Sequence, residues 1–156
     1  MRVRATVLLV RHQAVLLVRE RGGPWLLPGG TVGLDELTIV AAIRALYEET
    51  GVEASAAAFL FQQVSAQHLH HVFRIVIPDD VHPQPGMAGG LDEMRWVDAS
   101  QLASMNITPG TRAILNRAIG AGYETTKPSW NRDGGRPGPG PGPRVGAGLG
   151  IGKRWR

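Results

Sequence analysis

The sequence predicts an α/β domain in which helices pack against a mixed sheet, followed by a disordered C-terminal tail. Three observations lead there. Short aliphatic and β-branched runs recur between residues 3 and 97, bounded by Gly, Pro and Asp. Two segments, Glu36–Thr50 and Pro109–Ile119, carry helical rather than alternating spacing. From Gly134 to Gly152, nine of nineteen residues are Gly and four are Pro, leaving too little apolar surface to offset the entropy of ordering.

Val3–Val10 and Ala14–Val18 are apolar runs separated by the polar break Arg11-His12-Gln13, the pattern of a hairpin. Gly22-Gly23-Pro24 is a loop, Trp25-Leu26-Leu27 a short strand, and Pro28-Gly29-Gly30 a sharp turn. Asp35 is placed to cap the first helix, with Glu36 in its first turn favoured by the helix dipole. Val40, Ile43 and Tyr47, flanked by Ile39 and Leu46, form the stripe expected to be buried. Gly51 stands where a helix C-terminus places its left-handed residue. Residues 58–64 and 70–77 read as strands, and Pro78-Asp79-Asp80 ends the second. A Gly/Pro-rich loop from His82 to Gly90 precedes a short strand, Met94–Val97, and then the second helix. The order β-β-β-α-β-β-β-α fits a mixed sheet covered by helices.

At 156 residues and 43% hydrophobic content, the chain can bury one globular core. No apolar stretch approaches the ~20 residues that span a bilayer. The opening Met1-Arg2-Val3-Arg4 is not followed by a secretory signal pattern. The absence of cysteine excludes disulfides, thiol catalysis and cysteine-ligated metals, and the expected setting is the cytoplasm.

The net charge of +4 belongs to the tail. Residues 127–156 hold seven basic residues and the single acid Asp133, a balance of +6, whereas residues 1–126 hold ten basic residues and twelve acids, a balance of −2. The reading is therefore a folded domain over 1–126 and a basic, disordered appendage over 127–156. Such a tail could tether RNA, DNA or an acidic surface, with Trp130 and Trp155 able to stack on bases. A solvated extension without a partner is the favoured reading.

The chemistry concentrates between Gly30 and Val52. Arg44 and Glu48 are four residues apart, so they share one helix face and can pair. Glu48 and Glu49 are neighbours whose like charges repel unless a positive group stands beside them, and hard oxygen donors suit Mg²⁺ or Mn²⁺. The turn Pro28-Gly29-Gly30 lets backbone approach a ligand without a Cβ in the way. Glu36 could reach the same region. Adjacent glutamates on a solvated helix are common, so the pair alone carries little; the joint spacing of Gly30, Glu36, Arg44, Glu48, Glu49 and Gly51 carries the argument.

That stretch resembles the Nudix box, G-x5-E-x7-R-E-U-x-E-E-x-G-U with U a bulky aliphatic residue. Gly30, Glu36, Arg44, Leu46, Glu48, Glu49, Gly51 and Val52 stand in register, and Leu27-Pro28-Gly29-Gly30 matches the usual approach to the box. The likeness extends over roughly residues 3–120, through the opening hairpin, the Met94–Val97 strand and the last helix. It implies a Nudix-like α/β/α sandwich and Mg²⁺-dependent hydrolysis, with Mn²⁺ as the other candidate ion, of a nucleoside diphosphate linked to another moiety. It further implies Glu48 and Glu49 as metal ligands joined by the Gly30 carbonyl, Arg44 as the group orienting Glu48, and Glu36 as a support of the loop. One position departs: Ala45 stands where the family has Glu, which removes one carboxylate from the cluster. Fewer ions held, a base drawn from elsewhere, or a domain that binds without turnover are the three consequences weighed.

Hydrolysis of a diphosphate needs charge neutralisation, positioning and a base within reach of the attacking water. Family members often place the base on a later loop, and Asp92 and Glu93 are the candidates, Glu93 ahead; the bland alternative is a solvated loop end. His68, His70 and His71 form a second cluster. On a strand His68 and His70 share a face and His71 points away, so the three do not converge on one ion. They read as strand-end residues, with His70 or His68 as a lesser candidate for substrate contact. Trp25, Phe73 and Arg74 read as core or solvated residues. The expected partner is a small nucleotide-like substrate, with nucleoside triphosphate types slightly ahead because the markers of ADP-ribose or dinucleoside polyphosphate substrates are not seen near residues 66–70. No feature of the sequence sets an oligomeric state. The competing reading is a catalytically weakened Nudix domain that binds a nucleotide, a protein or RNA, with Ala45 as its mark.

Overall fold

Strand β1 (Arg2–Arg11) is the axis of the sheet. Every residue from Ala5 to Val10 is buried, because helices cover both faces of this strand. A turn through His12 leads into β2 (Ala14–Arg19), antiparallel to β1 with Val10 opposite Val15. Strand β2 then pairs along its length with β6 (Glu93–Val97), Leu17 opposite Arg95. The place beside the first half of β1 is taken by β3 (Gly29–Thr31), antiparallel, with Ala5 opposite Gly30. On the other side of β1, β5 (His68–Val76) runs parallel to it, and β4 (Ala58–Val64) closes that edge with a register shift between Phe59 and Phe61. The order is β4-β5-β1-β2-β6, with β3 against β1. One parallel pair among antiparallel ones makes the sheet mixed. The computed structural model describes residues 1–85 and 90–126.

Helix α1 (Thr38–Thr50) covers one face, where Ala41, Ala42 and Leu46 meet Ala5, Val7, Leu9, Leu16, Val18, Phe73 and Ile75. Helix α2 (Pro109–Gly120) covers the other, where Ile114, Leu115 and Ala118 meet Leu8, Val10, Val15, Leu17 and Val72. The result is the α/β/α sandwich with a mixed sheet. Thr108 caps α2, its Oγ1 accepting from the Thr111 N–H at 3.3 Å, and Pro109 follows at the first helical position.

Three local expectations are corrected. Asp35 does not cap α1: it has φ 64°, and the helix begins at Thr38 after Leu37, without a side-chain cap. The stripe buried by α1 keeps Leu46, with Ile39 and Ile43 partly buried beside it, and is otherwise made of small residues. Val40 and Tyr47 are 49% and 46% exposed, while Ala41, Ala42 and Ala45 are buried, so the helix lies close to the sheet on its alanine side. Gly29 and Gly30 are strand residues rather than a turn, and Trp25 and Leu26 make only isolated bridges, to Ile107 and Val18. A 3-10 helix over Ala99–Ser104, capped by Asp98, stands before α2 in a stretch to which the sequence assigned no element. The expectations for residues 86–89 of the Gly/Pro-rich loop and for the tail over 127–156, including Trp130 and Trp155, fall outside the described residues. No described helix is long and apolar enough to cross a membrane.

Candidate active site

Gly51 ends α1 in the left-handed conformation, φ 73°, and its N–H reaches the Tyr47 carbonyl at 2.8 Å. This fixes the last turn of the helix, where the acids sit. Arg44 ties that turn to the preceding loop. Its Nε and Nη2 donate to the two oxygens of Glu36 at 2.7 and 2.9 Å. Nη2 also donates to the Thr31 carbonyl at 3.0 Å, and Nη1 to Glu48 Oε1 at 2.8 Å. Glu36 Oε1 accepts the Gly33 N–H as well, at 2.8 Å. The Arg44 hydrogen bonds, helped by that N–H, hold the Glu36 carboxyl down to about 2. Arg44, between Glu36 and Glu48, is held above its ordinary value.

Glu49 is anchored differently. Its Oε1 accepts the Gly29 N–H of β3 at 3.0 Å. Burial raises its pKa, ahead of the Gly29 bond and the Arg4 charge, which lower it. Gly29 is required by a close approach: a Cβ there would lie 2.3 Å from the Ala5 carbonyl oxygen. Gly30 faces Ala45, and a Cβ on Gly30 would lie 3.0 Å from the Ala45 Cβ. Ala45 is 2% exposed, so the residue at the departing position is a methyl group packed on a glycine strand.

Among the described residues, no group of three or more His, Cys, Asp or Glu converges as a cation cage. The donor set is nonetheless suited to a hard divalent ion. Glu49 is a desolvated carboxylate with no ion pair among the described residues, and Glu48 has one oxygen held by Arg44. Mg²⁺ usually keeps several waters and needs only one or two carboxylates from a protein.

The opposite face of the sheet holds a cleft of about 390 Å³. Arg4, Thr6, Leu26, Leu27, Ser65 and His70 are among its lining residues, with Thr108–Thr111 of the α2 start across from them. His70, 7% exposed, is bonded at both ring nitrogens: Nδ1 to Thr6 Oγ1 at 2.8 Å and Nε2 to Ser65 Oγ at 3.0 Å. Burial first, then the charges of Arg4 and His68, push His70 down to about 4. The imidazole is therefore neutral in the fold at neutral pH.

This has a stability consequence with a definite sign. The unfolded chain takes up a proton on this side chain near pH 6.5, and the folded chain only near 4. Stability is full above about 6.5 and falls as pH drops toward 4. Urea midpoints of wild type and His70→Gln across this range check it: the wild-type loss between pH 6.5 and 4 is expected to flatten in the variant.

Glu36, Arg44, Glu48 and Glu49 are thus brought together around the start and end of α1. Glu93 is not joined to them. Arg19 Nε and Nη2 donate to its two oxygens at 2.9 and 3.1 Å, and this pairing lowers its pKa. Asp92 accepts the Arg21 N–H at 2.8 Å. His68 and His70 share a face of β5, ring centroids 5.6 Å apart, and both line the cleft, while His71 contacts Phe59 and Gln62. Trp25 is buried beneath the Arg19 guanidinium at 4.4 Å, Phe73 is core, and Arg74 donates to the Tyr123 and Thr125 carbonyls.

The cleft residues Arg4, Thr6, Ser65 and Thr111 escaped the sequence reading. A signal existed for two of them: Arg2, Arg4 and Thr6 alternate with Val3, Ala5 and Val7, which marks a polar face at the start of β1.

The fold is thus a three-layer sandwich in which an acid-bearing loop-helix is anchored to a glycine strand. A family model described as NUDIX domain matches residues 1–118, and the chain belongs to that family. Its members hydrolyse nucleoside diphosphates linked to another moiety and generally use divalent metal ions, so this protein is a Nudix pyrophosphohydrolase. A relative from Bacillus subtilis (strain 168), named "Putative 8-oxo-dGTP diphosphatase", is 30% identical over 120 residues, which are 74% of this chain and 78% of that protein. The crystal structure of the Nudix hydrolase RenU from M. smegmatis superposes with a TM-score of 0.63 at 25% identity, covering 76% of this chain and 84% of that one. The MutT protein from Methanosarcina mazei Go1 gives 0.64 at 22% identity, covering 74% and 91%, a likeness of fold alone.

Proposed function

We propose that the protein hydrolyses the phosphoanhydride linkage of a nucleoside triphosphate-type substrate with Mg²⁺ or Mn²⁺, in a domain over residues 1–126 to which 127–156 is an appendage. The observation that carries this reading is the pair Glu48 and Glu49, adjacent on α1 yet anchored by different partners, Arg44 and the Gly29 N–H. The name of the Bacillus subtilis relative supports the triphosphate class.

Each residue then has a task. Glu48 and Glu49 would hold the metal together with the Gly30 carbonyl. When bound, such an ion neutralises charge on the phosphate chain and acidifies water. Arg44 fixes the rotamer of Glu48, and Glu36 fixes Arg44 and the loop. Glu93 is the proposed base, and the Arg19 pairing that lowers its pKa would have to loosen for it to act as one. The cleft on the opposite face receives the nucleoside, with His70 presenting a neutral ring to it.

The test is a panel of nucleoside triphosphates and diphosphate derivatives with Mg²⁺ or Mn²⁺, read as inorganic phosphate after coupling to a pyrophosphatase. Turnover of a triphosphate by wild type is expected. No turnover across the panel, or equal rates without metal, overturns the reading.

The weakened-domain alternative draws on Ala45, buried against Gly30. Position 45 is three and four residues before Glu48 and Glu49, so a carboxylate there joins their face. Ala45→Glu is expected to tighten Mn²⁺ binding in calorimetry by about tenfold or more, the scale on which metal sites respond to their supporting groups. A rate rising with it shows a site short of one ligand; tighter metal without turnover favours a binding domain.

A further inference from the structure

Arg4 is a charged side chain without an ion-pair partner among the described residues. Its position on β1 aims it at the cleft, whose wall it forms together with Thr6, Ser65 and His70. Its one hydrogen bond given by the structure runs from Nη2 to the Leu27 carbonyl at 3.1 Å, whereas a guanidinium carries five N–H donors in a planar fork. Withdrawal from water disfavours its charge, and Glu49 is the acid that favours it. Yet Glu49 spends its Oε1 on the Gly29 N–H rather than on Arg4. Gly29 lies between the two groups: besides its bond to Glu49, a Cβ there would lie 3.2 Å from Arg4 Nη2.

A guanidinium partly withdrawn from water, with donors left over from its one hydrogen bond and facing a cleft, is best completed by an anion. The cleft supplies none. Its two histidines, His68 and His70, are both disfavoured from charging, in part by Arg4 itself. The ligand that completes Arg4 must be anionic and must offer several acceptor oxygens to a planar fork. A phosphate group meets both conditions.

We propose that Arg4 is a phosphate-binding residue, gripping the phosphate chain of the substrate between Glu49 and the cleft. This deepens the function proposed above, and it takes from that reading only that the anion belongs to the substrate. Arg4 cannot serve the metal in the same way. A cation beside Glu49 opposes a second cation there, so removing it should act on anion and metal with opposite signs.

The experiment uses Arg4→Met, which keeps an unbranched apolar stem, and Arg4→Lys, which keeps charge without the fork. Binding of inorganic pyrophosphate is measured by calorimetry in EDTA, and binding of Mn²⁺ is measured separately without anion. Arg4→Met is expected to bind pyrophosphate at least about tenfold more weakly, the loss that goes with a charge-assisted pair, with Arg4→Lys in between. Its Mn²⁺ affinity is expected to hold or rise. The proposal is overturned if Arg4→Met binds pyrophosphate like wild type, if wild type binds none, or if pyrophosphate and Mn²⁺ affinities fall together, as a merely structural residue would cause. Because no turnover is measured, failure of the hydrolysis panel leaves this result standing, and failure here leaves the panel standing.

Discussion

Glu49→Gln is expected to reduce hydrolysis by at least about a hundredfold while the protein stays folded. Glutamine keeps the side-chain length and an oxygen that can still accept the Gly29 N–H, the 3.0 Å bond that locates residue 49 against β3. What disappears is the negative charge. That charge is partly desolvated in the native state and forms no ion pair among the described residues, so its removal costs the fold little. Metal-assisted charge stabilisation is worth several kcal/mol, and each 1.36 kcal/mol is tenfold in rate. Steady-state rates with Mn²⁺ beside a urea denaturation curve check both halves. Wild-type rates in Glu49→Gln would remove residue 49 from the chemistry. A lowered midpoint with a lost rate would instead show a structural role. Glu48→Gln makes a useful contrast, because it removes the charge of the Arg44 ion pair while leaving an oxygen that can still accept across the 2.8 Å bond.

Gly29→Ala is expected to damage fold and site together. A Cβ at this position would meet the Ala5 carbonyl oxygen at 2.3 Å and the Thr6 Cα at 3.1 Å. These are backbone atoms of the buried central strand, so no rotamer change relieves the clash. β3 must move away from β1, and the N–H that holds Glu49 moves with it. Overpacking of this kind costs about 1–3 kcal/mol, and the upper end applies because the obstructing atoms are main chain. The measurement is the urea midpoint of Gly29→Ala against Gly22→Ala. Gly22 has φ 77° but nothing within 4 Å, so it reports backbone strain without a clash. A Gly29→Ala midpoint at or above that of the control would contradict the close approach.

The parts of the molecule that a sequence announces are those set by short-range chemistry. Gly51 at a helix end, Arg44 one turn from Glu48, and the aliphatic runs of β1 and β5 all obey local rules, and the structure places them accordingly. The misreading of α1 shows the limit of those rules. Large apolar side chains suggest the buried stripe, but besides Leu46, α1 packs through Ala41, Ala42 and Ala45, and this leaves Val40 and Tyr47 half-exposed. Small residues give a weak hydrophobic signal even where they allow the closest packing. Asp35 misled for a related reason: Asp favours caps, but it also tolerates the left-handed conformation found here. The cleft as an assembled whole was out of reach, although single residues of it, Arg4, Thr6, His68 and His70, left local signals. Its walls come from residues 4–6, 26–27, 65–70 and 108–111, which meet only once β1 and β5 pair in parallel and α2 closes over them.

The glycines of β3 open a window in an otherwise insulating wall. Elsewhere the two helical layers are separated by tightly packed aliphatic side chains, and charges on one side are electrically remote from those on the other. At Gly29 no side chain intervenes, and an acid reaching from the α1 layer and a cation from the α2 layer fall within each other's field. Whatever enters on one side is therefore weighed against what is held on the other, and by reciprocity the influence runs equally in both directions. Under the assignments proposed above, ion retention and ligand choice would be coupled through this one opening rather than set independently.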